Sequence, residues 1–146
     1  MQTNKETNAV NLARVLLGGL AAGVVLNIGE FVLNEKVLGA QMKDFMAKHL
    51  FAQPGGNFIA MAVSLTFVLA IVMVWLYALI RPRLGAGPKT AIVAALIVWF
   101  TIYFYSGLFN MMLFGIPLNT MLILWVWGLV EYSLAALVGG AIYKEA

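Results

Sequence analysis

The sequence contains no cysteine and only one histidine, and few of its residues carry a charge. Without cysteine, the chain forms no disulfide, thiolate metal site, iron–sulfur cluster or catalytic thiol. A single histidine, His49, supplies too few ligands for a zinc or haem site within the chain, so we expect no metal and no cofactor. Charged residues make up 10% of the chain, against about 25% in soluble domains.

Apolar residues, by contrast, make up 63% of the 146 residues. Soluble domains are about 45–50% apolar, and a chain this short cannot bury so much apolar surface in a soluble core. The nine basic residues are scattered and mostly flank apolar runs. Membrane-anchoring charges are placed in this way, so we expect the lipid bilayer and not a nucleic acid as the partner. The composition therefore predicts an integral membrane protein.

Four apolar stretches are long enough to cross the hydrocarbon core of a bilayer, which takes about 20 helical residues. Continuous apolar runs do not alternate as the strands of a membrane barrel do, so helices are expected. The sequence thus predicts one all-α membrane domain, a four-transmembrane-helix bundle that follows a polar cytoplasmic tail. The tail covers residues 1–13, and the spans cover about residues 15–33, 58–80, 91–114 and 118–143.

The distribution of lysine and arginine predicts the orientation. Arg81, Arg83 and Lys89 lie in the loop between the second and third spans, and further basic residues flank both chain ends. Cytoplasmic loops carry an excess of Lys and Arg, so we expect a multi-pass protein of the cell membrane with both termini cytoplasmic.

The first external loop is expected to hold a short amphipathic surface helix over residues 35–51. Apolar or ring-bearing side chains recur there at helical spacing on one side, and charged side chains fall largely on the other. The helix would lie on the outer membrane surface, either as a lid over the helix ends or as a docking surface. Its apolar side would consist of Leu38, Met42, Phe45 and His49.

Glu30 and Glu131 are the only acidic residues inside the predicted spans. Charge in hydrocarbon costs several kcal/mol, so each glutamate should face protein, water or a partner. We hypothesise a polar cluster of Asn27, Glu30 and Glu131 between the first and last helices, with at least one carboxyl protonated because the spans offer no basic residue. The cluster could serve as a structural latch, as a proton or cation site, or as a contact to a ligand or to another protein.

Small residues share the helix faces of the two glutamates. Gly19 and Gly23 lie on the face of Glu30, at a spacing that lets another backbone approach closely. The face of Glu131 also carries Gly128, Ala135 and Gly139. If Arg14 and Lys144 both mark the cytoplasmic boundary, Gly19 is expected to face Gly139, Gly23 to face Ala135, Asn27 to face Glu131 and Glu30 to face Gly128.

The third span is rich in aromatic residues, and four of its side chains follow helical spacing along one side. Such a ladder is typical of ordinary packing and also of a groove for a lipid, quinone or pigment. The four residues are Trp99, Tyr103, Ser106 and Asn110.

Several segments together resemble a group of small, functionally uncharacterised bacterial four-helix membrane proteins. The segments are Gly18–Gly23, Asn27–Phe31, Arg81–Arg83, Gly85–Ala91 and Trp127–Glu131. The resemblance implies four helices and a location in the bacterial inner membrane, and it implies no activity. The chain is also similar, more loosely, to small multidrug resistance transporters, which have four helices and a glutamate in the first. Because this chain is longer and carries a second glutamate, no functional residue is transferred from them.

The sequence offers no catalytic set of side chains, which favours a non-enzymatic accessory or scaffold subunit of a larger bacterial membrane complex. Its partners would be other membrane protein subunits or further copies of the chain. One alternative is a proton-coupled small transporter or ion conductor that uses Glu30 and Glu131. The other is a membrane module that binds a lipid, quinone or pigment at the aromatic ladder.

Overall fold

The computed structural model describes residues 9–49, 51–52 and 54–145. Over these residues the chain is helical and contains no strand. Two π-helical turns, Leu33–Val37 and Phe100–Tyr105, extend α1 and join α4 to α5. The α-helices are α1 (Leu12–Val32), α2 (Gly39–Lys48), α3 (Gly56–Leu84), α4 (Pro88–Trp99), α5 (Ser106–Phe114) and α6 (Leu118–Ile142).

Four helical segments in this part of the chain are long and apolar enough to cross a membrane, which confirms the prediction of an all-α protein with four spans. They are Leu12–Val37, Gly56–Leu84, Pro88–Phe114 and Leu118–Ile142. The first three are longer at one end or both than the apolar runs that predicted them, because polar and charged residues such as Arg81 continue the helices beyond the runs, and the fourth ends one residue earlier than predicted, at Ile142. The first part of the expected tail, residues 1–8, lies outside the described residues.

Local chemistry explains where the spans end. The side chain of Asn11 accepts a hydrogen bond from the backbone N–H of Arg14 and caps α1. Gly115 ends α5 with a φ of +64°, a left-handed conformation that suits glycine. The turn between α3 and α4 uses Gly85 and Gly87, whose φ values are +85° and +132°. Pro88 then begins α4, where its missing N–H costs nothing.

The four spans form a helical bundle in which neighbours along the chain are neighbours in space. The first span packs against α3 and α6, and α4 packs against α3 and α6. We call the half that holds the start of α1, the end of α6 and residues 85–87 the terminal half, and the other half, with α2 and residues 115–117, the loop half. The buried core lies mainly in the terminal half and is rich in alanine, as at Ala94 and Ala135.

The loop half is much more open. Residues 56 to 65, which begin α3, are all exposed, and so are the large apolar side chains at the end of α5, such as Met112 at 82%. The fully buried alanines lie mainly in the other half, and the first part of α3 has no close neighbour here. The second and third spans therefore present most of their outer surface to the surroundings.

The helix in the first loop is shorter than predicted. The sequence predicts it over residues 35–51, whereas α2 covers Gly39–Lys48. The difference arises because the turn Leu33–Val37 continues the first span, with Leu33 and Leu38 both buried. The hydroxyl of Thr120 donates to Oε1 of Gln41 at 3.2 Å and links α2 to the start of α6.

Candidate functional site

Glu30 lies near the loop end of the first span, and its half-buried carboxyl has two hydrogen-bond donors. Its Oε1 accepts a hydrogen bond from the Tyr103 hydroxyl at 2.5 Å, and its Oε2 accepts one from the Asn34 amide at 3.1 Å. The Tyr103 ring fits here because Gly128 has no side chain: a Cβ on Gly128 would lie 2.7 Å from that ring. The carboxyl of Glu30 thus ties the first span to the third.

Glu131 lies in the middle of α6 and is almost fully buried, with 5% of its surface exposed. Its Oε2 accepts a hydrogen bond from the indole N–H of Trp127 at 2.8 Å, one turn away. Its Oε1 is buried and has no hydrogen-bond partner among the residues described. Such an oxygen is costly in hydrocarbon, so the Glu131 side chain needs a further partner.

The two glutamates lie in the same region of the bundle. The carboxyl of Glu131 packs against Gly29, the residue before Glu30, and a Cβ on Gly29 would lie 2.6 Å from the carboxyl carbon. No hydrogen bond joins the two carboxyls within the described part of the chain, and their donors come from different helices. The arrangement offers two acid groups, one phenol and one indole, which can hold a proton or bind a polar group of a ligand.

Asn27 does not join this cluster through a hydrogen bond, contrary to the prediction. Its amide donates to the backbone carbonyl of Gly23 at 2.8 Å, within its own helix. A side-chain amide can bond to the second lone pair of the helix carbonyl one turn earlier, as polar side chains in apolar helices commonly do. The residue that faces Glu131 is Gly29.

The predicted partners of the small residues on α1 are also wrong. Gly19 and Gly23 face α3, where a Cβ on Gly19 would lie 2.6 Å from Cα of Ile71 and one on Gly23 would meet the ring of Phe67. Gly18 is the residue that meets Gly139 of α6. The heights of the two helices therefore agree with the prediction to within about two residues, but α1 is rotated by about 100° or more.

Gly18 and Gly139 bring α1 and α6 into backbone contact in the terminal half. A Cβ on Gly18 would lie 2.6 Å from the carbonyl oxygen of Gly139, and one on Gly139 would lie 3.0 Å from that of Gly18. Ala22 and Ala135 are fully buried nearby. On this side of Glu131 the two helices are thus closely packed.

The ladder of Trp99, Tyr103, Ser106 and Asn110 does not form one continuous side of the third span. The π-helical turn Phe100–Tyr105 interrupts the α-helical spacing on which the prediction rests. The Trp99 indole donates to the carbonyl of Trp125, Ser106 donates to the carbonyl of Thr101, and Asn110 is exposed. Trp99 and Tyr103 thus bond to other helices, and only Ser106 bonds within its own span.

The groove that does face Glu131 lies on the other side of the bundle, between α1 and α6. It has a volume of about 820 Å³, and we call it the α1–α6 groove. Its walls include Ile28, Gly29, Trp127, Val130, Glu131 and Leu134. Glu131 is its only ionisable wall residue in the described chain, and Trp127 supplies the only other polar side-chain group.

A smaller cavity, of about 600 Å³, lies in the loop half between α2 and the turn before α6. His49 belongs to its lining, but the Nδ1 atom of His49 lies 2.8 Å from the carbonyl oxygen of Phe45, in its own helix. No group of three His, Cys, Asp or Glu side chains that could hold a metal ion occurs in residues 9–49, 51–52 and 54–145.

Gly29, Tyr103 and Trp127 are neighbours of the glutamates that were not predicted from the sequence. Two features of the sequence point to Gly29 and Trp127. Gly29 and Gly128 are glycines beside or near the acidic residues, and Trp127 precedes Glu131 by one helical turn. The Tyr103 contact has no such signal, because it depends on how the third span is rotated.

Comparison of the chain with known protein families, with characterised proteins and with solved structures finds no match.

Proposed function

We propose that this multi-pass membrane protein is a non-enzymatic accessory or scaffold subunit that packs against a partner subunit within the membrane. The supporting observation is the first part of α3, whose residues from 56 to 65 are exposed on every side. A helix in a bundle normally buries one face against its neighbours. This part of α3 lacks such a neighbour in the described chain. We therefore propose that a helix of another subunit packs against it.

The sequence of this segment suits contact with a helix. Gly56, Ala60 and Ser64 recur every four residues on one side of α3, and all three are exposed. We call them the small-residue stripe. In membranes, stripes of this kind let two helix backbones approach closely, which gains packing energy that lipid chains do not supply equally. The stripe therefore favours a protein partner over lipid at this surface.

Proton-coupled transport has weaker support. A transporter needs the site to be reached from both sides of the membrane in turn. On the terminal side of Glu131, backbone contact between Gly18 and Gly139 occupies the space between α1 and α6. Glu30 instead accepts a hydrogen bond from Tyr103 that holds the first span to the third, which suits an accessory subunit.

Enlarging the small-residue stripe is expected to release the partner. Purified in mild detergent from its source membrane, the wild-type chain should appear in native mass spectra with a second polypeptide at a fixed ratio. Ala60→Leu should reduce that complex at least about tenfold, because 1.4 kcal/mol of lost packing gives a factor of ten.

Ala62→Leu is the matched control, because Ala62 is equally exposed but lies on the opposite side of α3. It should retain the partner as the wild-type chain does. If the chain is found alone, or only with copies of itself, in every mild detergent, it is not an accessory subunit. Equal loss in both variants would remove the small-residue stripe as the contact.

We also propose that both termini are cytoplasmic, in a bacterial inner membrane, and that α2 lies on the outer membrane surface. Arg81, Arg83 and Lys89 border the turn of the terminal half, which supports a cytoplasmic position. In α2, Met42, Phe45 and Met46 are half-buried, whereas Asp44 and Lys48 are exposed and form an ion pair at 2.7 Å. This division suits a helix at a membrane surface.

The absence of native cysteine allows a direct test of this orientation. A membrane-impermeant maleimide should label Asp44→Cys in intact cells, and it should label Ala86→Cys, in the opposite turn, only after lysis. In intact cells we expect Asp44→Cys to be labelled more than about tenfold more strongly than Ala86→Cys, since an intact bilayer blocks a charged reagent. Labelling of Ala86→Cys alone in intact cells would reverse the orientation.

A further inference from the structure

We propose that the cavity between α2 and the turn before α6 binds the headgroup of a phospholipid that carries both a phosphate and a primary ammonium, as phosphatidylethanolamine does. We call this cavity, of about 600 Å³, the loop-half cavity. Its walls share no residue with the small-residue stripe of α3. The proposal is therefore independent of the partner subunit, and each can fail without the other.

The first argument is the position of the loop-half cavity along the spans. One of its walls is the turn between the end of α5, at Phe114, and the start of α6, at Leu118, so it lies where two spans reach a membrane surface. The wall on α6 extends from this turn to Leu124, about 9 Å along the helix axis. The headgroup layer of a bilayer is about 5–8 Å thick on each side. The cavity therefore spans the level of the headgroups and the edge of the hydrocarbon.

The second argument is the division of the walls into an apolar and a polar part, which suits an amphiphile. Apolar wall residues from both helices are buried or half-buried, among them Leu38, Phe45 and Leu124. Most polar wall residues are exposed, namely Gln41, Asp44, Lys48, His49 and Asn119. A lipid can thus place its charged headgroup against the exposed polar side chains and the upper part of its acyl chains against the apolar ones.

The third argument is charge, which favours a zwitterion over an anion. Asp44 and Lys48 are the charged side chains in the walls of the described chain, with His49 neutral, and their charges cancel. A purely anionic headgroup would be attracted by Lys48 and repelled by Asp44, whereas a zwitterion can place its phosphate near the one and its ammonium near the other. The two side chains pair with each other at 2.7 Å, but they are 69% and 63% exposed, and exposed ion pairs are readily exchanged for other partners.

The fourth argument is the set of hydrogen-bonding groups, which favours a primary ammonium over a methylated one. Nδ1 of His49 must donate to the carbonyl of Phe45, because a carbonyl only accepts, so Nε2 of the neutral ring is an acceptor. This nitrogen and the Asp44 carboxylate can accept from ammonium N–H groups, which a choline headgroup lacks. Gln41 uses its amide oxygen to accept from the Thr120 hydroxyl, so its two N–H groups are the donors that it has left for a phosphate.

The test is native mass spectrometry of the full-length protein, with any partner that it retains, titrated with lipids of identical acyl chains. Phosphatidylethanolamine should bind at least about fivefold more tightly than phosphatidylcholine or phosphatidylglycerol, which hydrogen bonds to a charged group are sufficient to provide. Asn119→Trp should remove this preference, because the larger side chain would occupy space in the cavity. Leu118→Trp is the matched control and should keep the preference, because Leu118 is an exposed neighbour outside the cavity walls.

A change of charge tests the pairing of the headgroup with Asp44. Asp44→Asn leaves Lys48 without its acidic partner, so the preference should pass from phosphatidylethanolamine to phosphatidylglycerol. Glu35→Gln is the control, because it removes the same charge from an exposed residue in the turn before α2, outside the cavity walls. It should leave the preference of the wild-type chain unchanged.

Four results would each overturn the proposal. Equal binding of the three lipids would show only the general lipid shell, and a preference of the wild-type chain for phosphatidylglycerol would show an anion site. If water-soluble glycerophosphoethanolamine binds as tightly as the lipid, the apolar walls have no part in binding and the occupant is not a lipid. If phosphatidylethanolamine binds only after a partner has been removed, the loop-half cavity is part of a contact between subunits.

Discussion

Replacing Gly18 with alanine is expected to lower the free energy of unfolding by about 3 kcal/mol, near the upper end of the range for overpacked cores. The new Cβ would lie 2.6 Å from the carbonyl oxygen of Gly139 and 3.2 Å from Cγ1 of Val74. A backbone oxygen cannot rotate away as a side chain can, so α1 and α6 would have to separate. Membrane helices adhere mainly through close packing, and separation loses much of it.

The measurement is unfolding of the purified protein by a denaturing detergent, followed by circular dichroism. Gly55→Ala is the control, because a Cβ there meets nothing within 4 Å and the φ of −89° suits alanine. It should change the free energy of unfolding by only a few tenths of a kcal/mol to about 1 kcal/mol. Gly140→Ala should fall between the two, since its Cβ would lie 3.3 Å from Cβ of Ala91. If Gly18→Ala is as stable as Gly55→Ala, the two helices do not approach this closely.

The position of Gly18 also shows how far the sequence predicts this bundle. The four spans follow from the apolar runs, and the relative heights of α1 and α6 follow from Arg14 and Lys144. The rotation of α1 does not follow, because this helix has two close neighbours and glycine on two sides. Gly19 and Gly23 contact α3, whereas Gly18 contacts α6. A helical wheel identifies both small-residue sides but cannot assign each side to its neighbour.

The candidate site was predictable to a similar extent. Two acidic residues in apolar spans must find partners, so attention to Glu30 and Glu131 follows from the sequence alone. The identity of those partners depends on tertiary structure. Tyr103 reaches Glu30 from a π-helical turn, and the groove beside Glu131 exists because α1 and α6 diverge beyond their glycine contact. Hydrophobic periodicity contains no information about either feature.

Replacing Trp125 with phenylalanine is expected to lower the free energy of unfolding by about 2 to 3 kcal/mol. The Trp125 indole donates to the carbonyl of Tyr103 at 3.0 Å, inside the π-helical turn, and its ring lies 4.9 Å from that of Phe104. Phenylalanine removes one hydrogen bond, worth about 1 kcal/mol, and leaves a cavity. The lost free energy should come from a weaker contact between the third span and α6.

Trp75→Phe is the matched control for this change, because Trp75 lies on α3 with 45% of its surface exposed and makes no hydrogen bond to the described residues. The same substitution there should alter stability by less than about 0.5 kcal/mol, as surface changes usually do. Unfolding of both variants is followed by circular dichroism in the far ultraviolet, which does not depend on the number of tryptophans. The Tyr103 carbonyl also accepts from the backbone N–H of Ser106, so the π-helical turn should persist and only its anchorage to α6 should weaken. Equal stability of the two variants would mean that the indole of Trp125 does not hold the third span to α6, and the position of Tyr103 beside Glu30 would then need another cause.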